Sequence, residues 1–321
     1  MALLPANPGQ ALWIGGVAGK NHANVGIGQG TSGGTNHTDF EQSAIEDGYT
    51  DAQKFYLNAA GNVIFRINAS AGRTSTNTEH PRSECREETL NGAKAAWDGR
   101  SGDHYLRVRV RVTEVTTNRP WVCFGQIHGS EGSPESSDLV RLQTEGANGT
   151  TTGLSLIARR SPPSGGGEIR TVLRTGYDVG DWFDYEIRMT TSTLTVKIDG
   201  VTVLIAPGMG QILCYFKWGA YVQDNVEKGA GTNDWGAVEF ERGSLQVWHT
   251  GYPTPTTPVF TGGTDPGGGP GGGDGTPDTQ APSSPTGLTV TRVATGNQLA
   301  WNAATDNVGV DHYNIYRSGG G

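Results

Sequence analysis

The segment CYFKWGAYVQ, residues 214–223, alternates between two kinds of side chain and therefore predicts a β-strand. One face of this strand would carry small and apolar residues: Cys214, Phe216, Trp218, Ala220 and Val222. The opposite face would carry polar side chains and one gap: Tyr215, Lys217, Gly219, Tyr221 and Gln223. The segment thus predicts a strand that closes a hydrophobic core with one face and presents hydrogen-bonding groups with the other.

Two other segments repeat this division into a polar and a non-polar face. HPRSECREE, residues 80–88, places His80, Arg82, Glu84, Arg86 and Glu88 on one face. VCFGQIHGS, residues 122–130, places Phe124, Gln126 and His128 on one face, and Cys123, Gly125 and Ile127 on the other. In this interpretation all three cysteines of the chain lie on non-polar faces. Arg, Gln, His, Lys and Tyr are donors suited to a carboxylate, so the three strands are expected to share a site.

Further alternating segments follow one another along residues 1–250, separated by Gly, Asn and Asp turns. HYLRVRVRVTEV, residues 104–115, alternates most clearly, and Asp199-Gly200 predicts the turn of a hairpin. Ten or more strands with no convincing helix pattern predict an all-β protein, a β-sandwich of the jelly-roll type. The Gly/Asn-rich stretches NHANVGIGQG (21–30) and TSGGTNHTD (31–39) are interpreted as loops without a nucleotide site.

The composition divides the chain into three parts. Residues 1–250 form the main domain, and residues 251–281 are rich in Gly, Pro and Thr and predict a flexible linker. Residues 282–321 contain LTVTRV, QLAW and HYNIYR as short strand candidates, and resemble the first half of a fibronectin type III module. About 40 residues are too few for the seven strands of such a sandwich.

Charge and cysteine content exclude several classes of function. The net charge of -8 argues against a general nucleic-acid surface, and no apolar run is long enough to cross a membrane. The N-terminal sequence lacks the pattern of a signal peptide. Three cysteines allow at most one disulfide, and no spacing predicts a zinc site. We expect no metal or organic cofactor, although Asp-rich loops leave a structural cation open, and we expect a monomer.

RSECRE, QIH and YFKWGAYVQ resemble, in this order, the three signature strands of the polysaccharide lyase family 7 alginate lyases, R(S/T)E(L/V)R, Q(I/V)H and YFKAGxYxQ. The resemblance covers roughly residues 25–250, and GAVEFERGSLQVWH also resembles the last strand of the family. It implies a concanavalin-like jelly roll with a concave substrate groove. Two positions depart from the family pattern: Cys85 replaces an aliphatic residue, and Trp218 replaces Ala, as in related jelly-roll lyases that include glucuronan lyases.

The resemblance implies cleavage of a 4-linked uronate polymer by β-elimination, in which a base removes the C5 proton and the O4 leaving group departs. The catalytic residues it implies are Arg82, Gln126, His128 and Tyr221. The substrate-binding residues it implies are His80, Glu84, Arg86, Tyr215, Lys217 and Gln223. Glu84 is expected to hold the two arginines, and a nearby cation is expected to favour the ionised form of Tyr221.

Several alternatives stay open at this point. Either His128 or Tyr221 could be the base, and the polymer could be mannuronate, guluronate or glucuronate, with Ile127 favouring guluronate weakly. The cleavage could be endolytic or exolytic. A non-catalytic carbohydrate-binding jelly roll would not need both His128 and Tyr221. A glycoside hydrolase would need two carboxyl groups about 5 to 9 Å apart, for which Glu84 and Glu88 are the candidates. The suggested linker and module are typical of a secreted bacterial polysaccharide degrader.

Overall fold

A computed structural model describes residues 5–12, 23–30, 34–73, 78–89, 91–252, 283–293, 296–302 and 304–305. The described helices are short: α1 (Pro8–Ala11), α2 (Gln42–Glu46) and a 3-10 turn at Val226–Lys228. The strands of the larger unit are β1 (Ala23–Gly28), β2 (His37–Phe40), β3 (Phe55–Leu57), β4 (Val63–Asn68), β5 (Arg82–Glu87), β6 (Asp103–Glu114), β7 (Val122–Gly129), β8 (Asp138–Glu145), β9 (Leu154–Arg160), β10 (Ile169–Tyr177), β11 (Phe183–Thr190), β12 (Thr193–Ile198), β13 (Val201–Pro207), β14 (Cys214–Val222), β15 (Trp235–Phe240) and β16 (Gln246–His249). None of the described helices is long and apolar enough to cross a membrane.

Two eight-stranded antiparallel sheets form this unit, as the all-β prediction required. The first sheet has the order β10-β9-β8-β7-β14-β5-β1-β2. The second has the order β13-β12-β11-β6-β15-β4-β3, and β16 pairs with β6 beside β15. The sandwich therefore places β14 between β5 and β7, so the three polar strands lie side by side in one sheet.

The core between the sheets follows from the alternation of the strands. Leu106, Val108, Val110 and Val112 of β6 are buried, and Phe216, Trp218 and Ala220 of β14 belong to the same core cluster from the first sheet. The hairpin of β12 and β13 turns at Asp199 and Gly200, both with positive φ, as the Asp-Gly pair predicted. All three cysteines are buried and free.

Residues 21–39, interpreted as loops, contain two strands, so that interpretation was wrong. All six residues of β1 are buried, because β1 lies between β5 and β2. Glycines in this strand permit close approach of neighbours: a Cβ on Gly26 would lie 2.7 Å from Asp39 Oδ1, and one on Gly28 would lie 2.2 Å from Gly72 O. A strand that needs glycine for packing resembles a loop in composition, and the sequence pattern therefore concealed it.

A buried hydrogen-bonded chain joins the two sheets at one end of the sandwich. Glu87 of β5 accepts from the backbone N–H of Phe216, from Trp97 Nε1 and from His249 Nε2. His104 Nε2 lies 2.8 Å from the Ser101 carbonyl, and its Nδ1 lies 2.8 Å from His249 Nδ1, so the two imidazoles share a hydrogen bond. These bonds fix β5, β14 and β16 to one another below the polar face of the first sheet.

The smaller unit lies within Thr264–Gly321 and contains one antiparallel hairpin in its described part. Its strands are β17 (Thr286–Val293) and β18 (Gly296–Asn302). They confirm LTVTRV and QLAW as strands, whereas HYNIYR lies outside the described residues. Residues 253–281 of the expected linker also lie outside them.

Candidate active site

The outer face of the first sheet forms a cleft of about 410 Å³. Five of the ten candidate residues line it: His80, Arg82, His128, Tyr221 and Gln223. Of the remaining five, Glu84, Gln126, Lys217 and Tyr215 are buried in or under the same sheet face, and Arg86 is half-buried. The structure thus brings the three sequence motifs together, as their strand pattern predicted.

Strand register explains this juxtaposition. Tyr221 of β14 pairs with Arg82 of β5, and Lys217 pairs with Arg86 on one side and with Gln126 of β7 on the other. Residues directly opposite in an antiparallel pair point to the same face. Tyr215 pairs with His128 in the same way.

Glu84 is the centre of the buried charges. Its side chain is 1% exposed and accepts from Lys217 Nζ, Gln126 Nε2 and, at 3.4 Å, Arg82 NH1. Burial raises the pKa of Glu84, but attraction by Lys217 and Arg82 outweighs it, and the net pKa is lowered. Glu84 is therefore an ionised carboxylate under the cleft.

The expectation that Glu84 holds both arginines is only half right. Arg86 donates instead to the Glu87 carbonyl at 3.0 Å and to Ser130 Oγ at 3.4 Å. Its guanidinium lies over the Tyr215 ring, 3.8 Å from the centroid. Lys217, not Arg86, is the second cation on Glu84.

Lys217 is a buried amine with a perturbed pKa. Burial and the neighbouring Arg82 lower its pKa to about 8, although Glu84 acts in the opposite direction. The ammonium is thus charged at neutral pH and loses its proton in mildly alkaline solution.

His128 is held in one tautomer. Its Nδ1 lies 2.8 Å from the Gly129 carbonyl, which can only accept, so Nδ1 carries the proton. Burial and Lys217 lower the pKa of His128 to about 3. The ring is therefore neutral, and its Nε2 offers a lone pair. Tyr215 Oη lies 3.0 Å from Nδ1 and its ring stacks beside the imidazole.

Tyr221 is a protonated phenol, contrary to the expectation that a cation would favour its ionised form. Burial raises its pKa above 10, and the opposing effect of Arg82 is smaller. Arg82 Cζ lies over the ring, 4.3 Å from the centroid. The guanidinium packs on the face of the ring, so it orients the phenol without removing its proton.

His80 precedes β5 and Gln223 follows β14, and both line the cleft beside Tyr221. His80 is 4% exposed, and its Nε2 accepts from Lys228 Nζ at 3.0 Å. Burial and Lys228 lower the pKa of His80 to about 3, so this ring is also neutral. Gln223 is 5% exposed, and its backbone N–H donates to the Trp121 carbonyl at 2.8 Å.

The faces assigned to β7 are wrong at its start. Register places Cys123 opposite Tyr221 and Gln143, on the polar face, while Phe124 packs in the core against Phe183 and Tyr185. A β-bulge between Cys123 and Gly125 causes this reversal. A Cβ on Gly125 would lie 2.7 Å from Tyr185 Oη, so the bulge needs glycine at this position.

Sequence reasoning missed a group of cleft residues on neighbouring elements. They are Glu79, Arg119, Trp121, Asp138, Arg141, Arg159 and Lys228. The alternation of Arg141, Gln143 and Glu145 in DLVRLQTEG contained a signal for β8, since it repeats the polar pattern of β7 and β14. Trp121 is half-buried and lines the cleft, with guanidinium groups of Arg119 and Arg159 near its ring.

Comparison with known proteins places this geometry in context. A family model described as alginate lyase matches residues 26–247. Alginate lyase PA1167 from Pseudomonas aeruginosa is 26% identical, with a TM-score of 0.61, over 71% of this chain and 98% of that chain. The PL7 alginate lyase AlyA1 from Zobellia galactanivorans is also 26% identical, with a TM-score of 0.61, over 75% of this chain and 99% of that chain.

One curated protein matches a much shorter stretch. Chitinase Chi52 from Paenibacillus xylanexedens is 56% identical over 45 residues, which are 14% of this chain and 9% of the chitinase. The two proteins thus share a short segment.

Proposed function

The chain belongs to the alginate lyase family, and on this premise we propose that it cleaves 4-linked uronate polymers, alginate first, by β-elimination. The products would be oligosaccharides with a 4,5-unsaturated uronate at the new end. One observation carries the proposal: a neutral His128 and a protonated Tyr221 line the same cleft as Arg82. They supply a base, an acid and a cation, the three groups that the reaction needs.

Arg82 and Gln126 are proposed to stabilise the substrate carboxylate. Removing the C5 proton places a second negative charge on the group next to C5, so donors at that carboxylate lower the barrier. Arg82 supplies a permanent charge, and Gln126 donates one amide N–H to Glu84 and keeps the other for the ligand. Glu84 and Lys217 orient these donors from below.

His128 is proposed as the base and Tyr221 as the acid. With Nδ1–H bound to the Gly129 carbonyl, the Nε2 lone pair can take the C5 proton. Tyr221 then gives its phenolic proton to O4 as the C4–O4 bond breaks and the C4–C5 double bond forms. A separate base and acid suit an anti elimination, which guluronate requires, and Ile127 favours the same sugar by resemblance. In mannuronate, a syn elimination would need Tyr221 for both steps, and its raised pKa opposes this.

Glucuronan is the second candidate polymer, because Trp218 replaces the family's usual Ala. The indole is fully buried in the core between the sheets. Trp218 therefore does not contact the cleft, and alginate stays first.

Incubation with polymannuronate, polyguluronate and polyglucuronate separately tests the proposal. We expect ultraviolet absorbance of the unsaturated uronate to rise fastest with polyguluronate. Tyr221→Phe and His128→Asn are each expected to lose about 100-fold or more, as for removal of a general acid or base. No rise with any polymer, in a folded protein, would reject the proposed reaction. Reducing ends without absorbance would indicate hydrolysis instead.

The rest of the chain is proposed to serve delivery of the lyase. We propose a linker at residues 251–281, a partial fibronectin type III-like module at residues 282–321, and secretion. The β17–β18 hairpin supports the module, since it supplies two of its strands. A short segment shared with a chitinase is consistent with a part that occurs in other polysaccharide-degrading enzymes.

A further inference from the structure

A row of polar side chains crosses the first sheet perpendicular to its strands. Each member pairs directly with the next in the register of neighbouring strands. From β5 to β10 this cross-strand row consists of Arg86, Lys217, Gln126, Arg141, Arg159 and Arg170. Half of the row belongs to the proposed active site, and the other half, on β8 to β10, has no role in the proposed chemistry.

The distal half of the row is held by a buried acid. Glu145 of β8 is 6% exposed, and its two oxygens accept from Arg159 Nε at 2.6 Å and from Arg170 Nε at 2.8 Å. Burial raises the pKa of Glu145, but these two bonds outweigh it and lower the pKa. Glu145 is therefore ionised, and it fixes each of the two guanidinium groups through the Nε of that arginine.

This arrangement leaves outer guanidinium nitrogens available for a ligand. The Arg170 side chain is 46% exposed, and within the described residues its two terminal nitrogens have no hydrogen-bond partner. Arg159 lines the cleft, and Glu168 takes one of its terminal nitrogens. A planar guanidinium with free outer N–H groups is the preferred partner of a carboxylate.

The spacing of the strands gives the distance from the pair of Arg159 and Arg170 to the active site. Strands are spaced about 4.8 Å apart, so Arg170 on β10 lies about 19 Å from Lys217 on β14, four strands away. A uronate polymer carries one carboxylate on each sugar, so a chain lying across the strands presents further carboxylates along the row. We propose that Arg159 and Arg170, held by Glu145, form a distal subsite for the carboxylate of a uronate unit remote from the cleaved bond. The inference rests on the proposed function, because that supplies the polyuronate.

Binding of oligosaccharides of defined length tests the subsite without catalysis. Calorimetry with the Tyr221→Phe protein would compare guluronate and mannuronate trisaccharides with the corresponding hexasaccharides. Adding Arg170→Ala is expected to raise the Kd of the hexasaccharide about tenfold, as for loss of a charged hydrogen bond, and that of the trisaccharide much less. Arg170 is the better position for the test, since its removal leaves Glu145 paired with Arg159. Arg159→Lys, which keeps the charge but loses the planar fork, is expected to act in the same direction.

Arg174→Ala is the matched control, because Arg174 is on the same strand but pairs with Asp199. It is expected to leave both Kd values unchanged. Equal weakening of short and long oligosaccharides by Arg170→Ala, or no weakening of either, would overturn the subsite. Failure of the Tyr221→Phe protein to bind any oligosaccharide would overturn it as well.

The two proposals can fail separately. Length-dependent binding that Arg170→Ala abolishes, in a protein that releases no unsaturated product, would keep the subsite and reject the lyase reaction. Lyase activity with binding independent of Arg170 at every length would keep the reaction and reject the subsite.

Discussion

Glu84 is the residue on which the charges below the cleft depend. It is the shared acceptor of Lys217, Gln126 and Arg82, and it is almost completely buried. Replacing a buried carboxylate leaves its cations without compensation, which costs more than a surface ion pair is worth.

Glu84→Gln is therefore expected to lower the free energy of unfolding by about 3 kcal/mol or more and to reduce activity. Urea denaturation of the variant and wild type measures the difference. Glu114→Gln is the control, since Glu114 forms a half-exposed pair with Arg66 and should cost about 1 kcal/mol at most. Similar costs for both variants would contradict the central role of Glu84.

Lys217 gives the proposed reaction an alkaline limit. Because its pKa is about 8, the cation that pairs with Glu84 below the cleft loses its charge above that pH. We expect kcat/KM to fall with an apparent pKa near 8, whereas the high pKa of Tyr221 places its own titration further into the alkaline range.

Lys217→Arg separates the two titrations, since an arginine stays protonated. Its alkaline limb is expected to move to higher pH even if the larger group lowers the maximum rate. A profile of kcat/KM against pH for both proteins provides the measurement. An unchanged limb would assign the titration to another group.

At the scale of the strands, Gly219 controls the position of Tyr221. Its φ is +141°, and β14 shifts register against β7 between Trp218 and Tyr221. A Cβ at this position would lie 2.6 Å from Ser83 O and 2.7 Å from Glu84 Cα, so the neighbouring strand leaves no room for one.

Gly219→Ala is expected to lower the free energy of unfolding by several kcal/mol, the sum of about 1–2 kcal/mol for backbone conformation and about 1–3 kcal/mol for overpacking. It should also reduce activity, because β14 must move against β5. Gly176→Ala is the control, since Gly176 has a φ of +71° in a strand but open space around its Cα. Thermal or urea unfolding, with activity on polyuronate, distinguishes the steric cost from the conformational one.

The strands also show what a sequence pattern can and cannot predict. Alternation in residues 214–223 correctly predicted β14, its inward Trp218 and the neighbourhood of three motifs, because a regular strand has a period of two. The period fails at a bulge, so Phe124 and Cys123 exchanged faces. Composition failed at β1, where Gly26 and Gly28 are required by packing against β2 and Gly72 and not by a turn.

The candidate site shows the same division between what a sequence carries and what packing adds. The resemblance of the three strands to a known family supplied the ten candidates, but only tertiary packing decides that Glu84 is buried and that Lys217 approaches it. The Arg141, Arg159 and Arg170 row depends on the pairing of β8, β9 and β10, and a sequence carries no direct record of which strands are neighbours.

At the scale of the whole molecule, two neutral histidines link folding to pH. His80 and His128 bind a proton only near pH 3 in the folded protein, but near pH 6.5 when unfolded. Between these values the unfolded chain binds more protons, so stability falls as pH falls.

We expect the free energy of unfolding to decrease between pH 7 and pH 5 by up to about 1.4 kcal/mol per pH unit for each of these two histidines once the pH is below 6.5. Urea unfolding at several pH values measures the slope. The double variant His80→Asn, His128→Asn should show a shallower slope, and an unchanged slope would assign the effect to other groups.

The strand order of the first sheet has a consequence for synthesis of the chain. β5 and β7 are made early, but the strand that pairs with both, β14, begins only at Cys214. Until then the edges of β5 and β7 that will meet β14 have no partner, and unpaired edges can join those of other chains. Pairings this distant in sequence also form slowly. While about residues 130 to 222 are being synthesised, the edges of β5 and β7 that β14 later covers are therefore exposed to association with other chains.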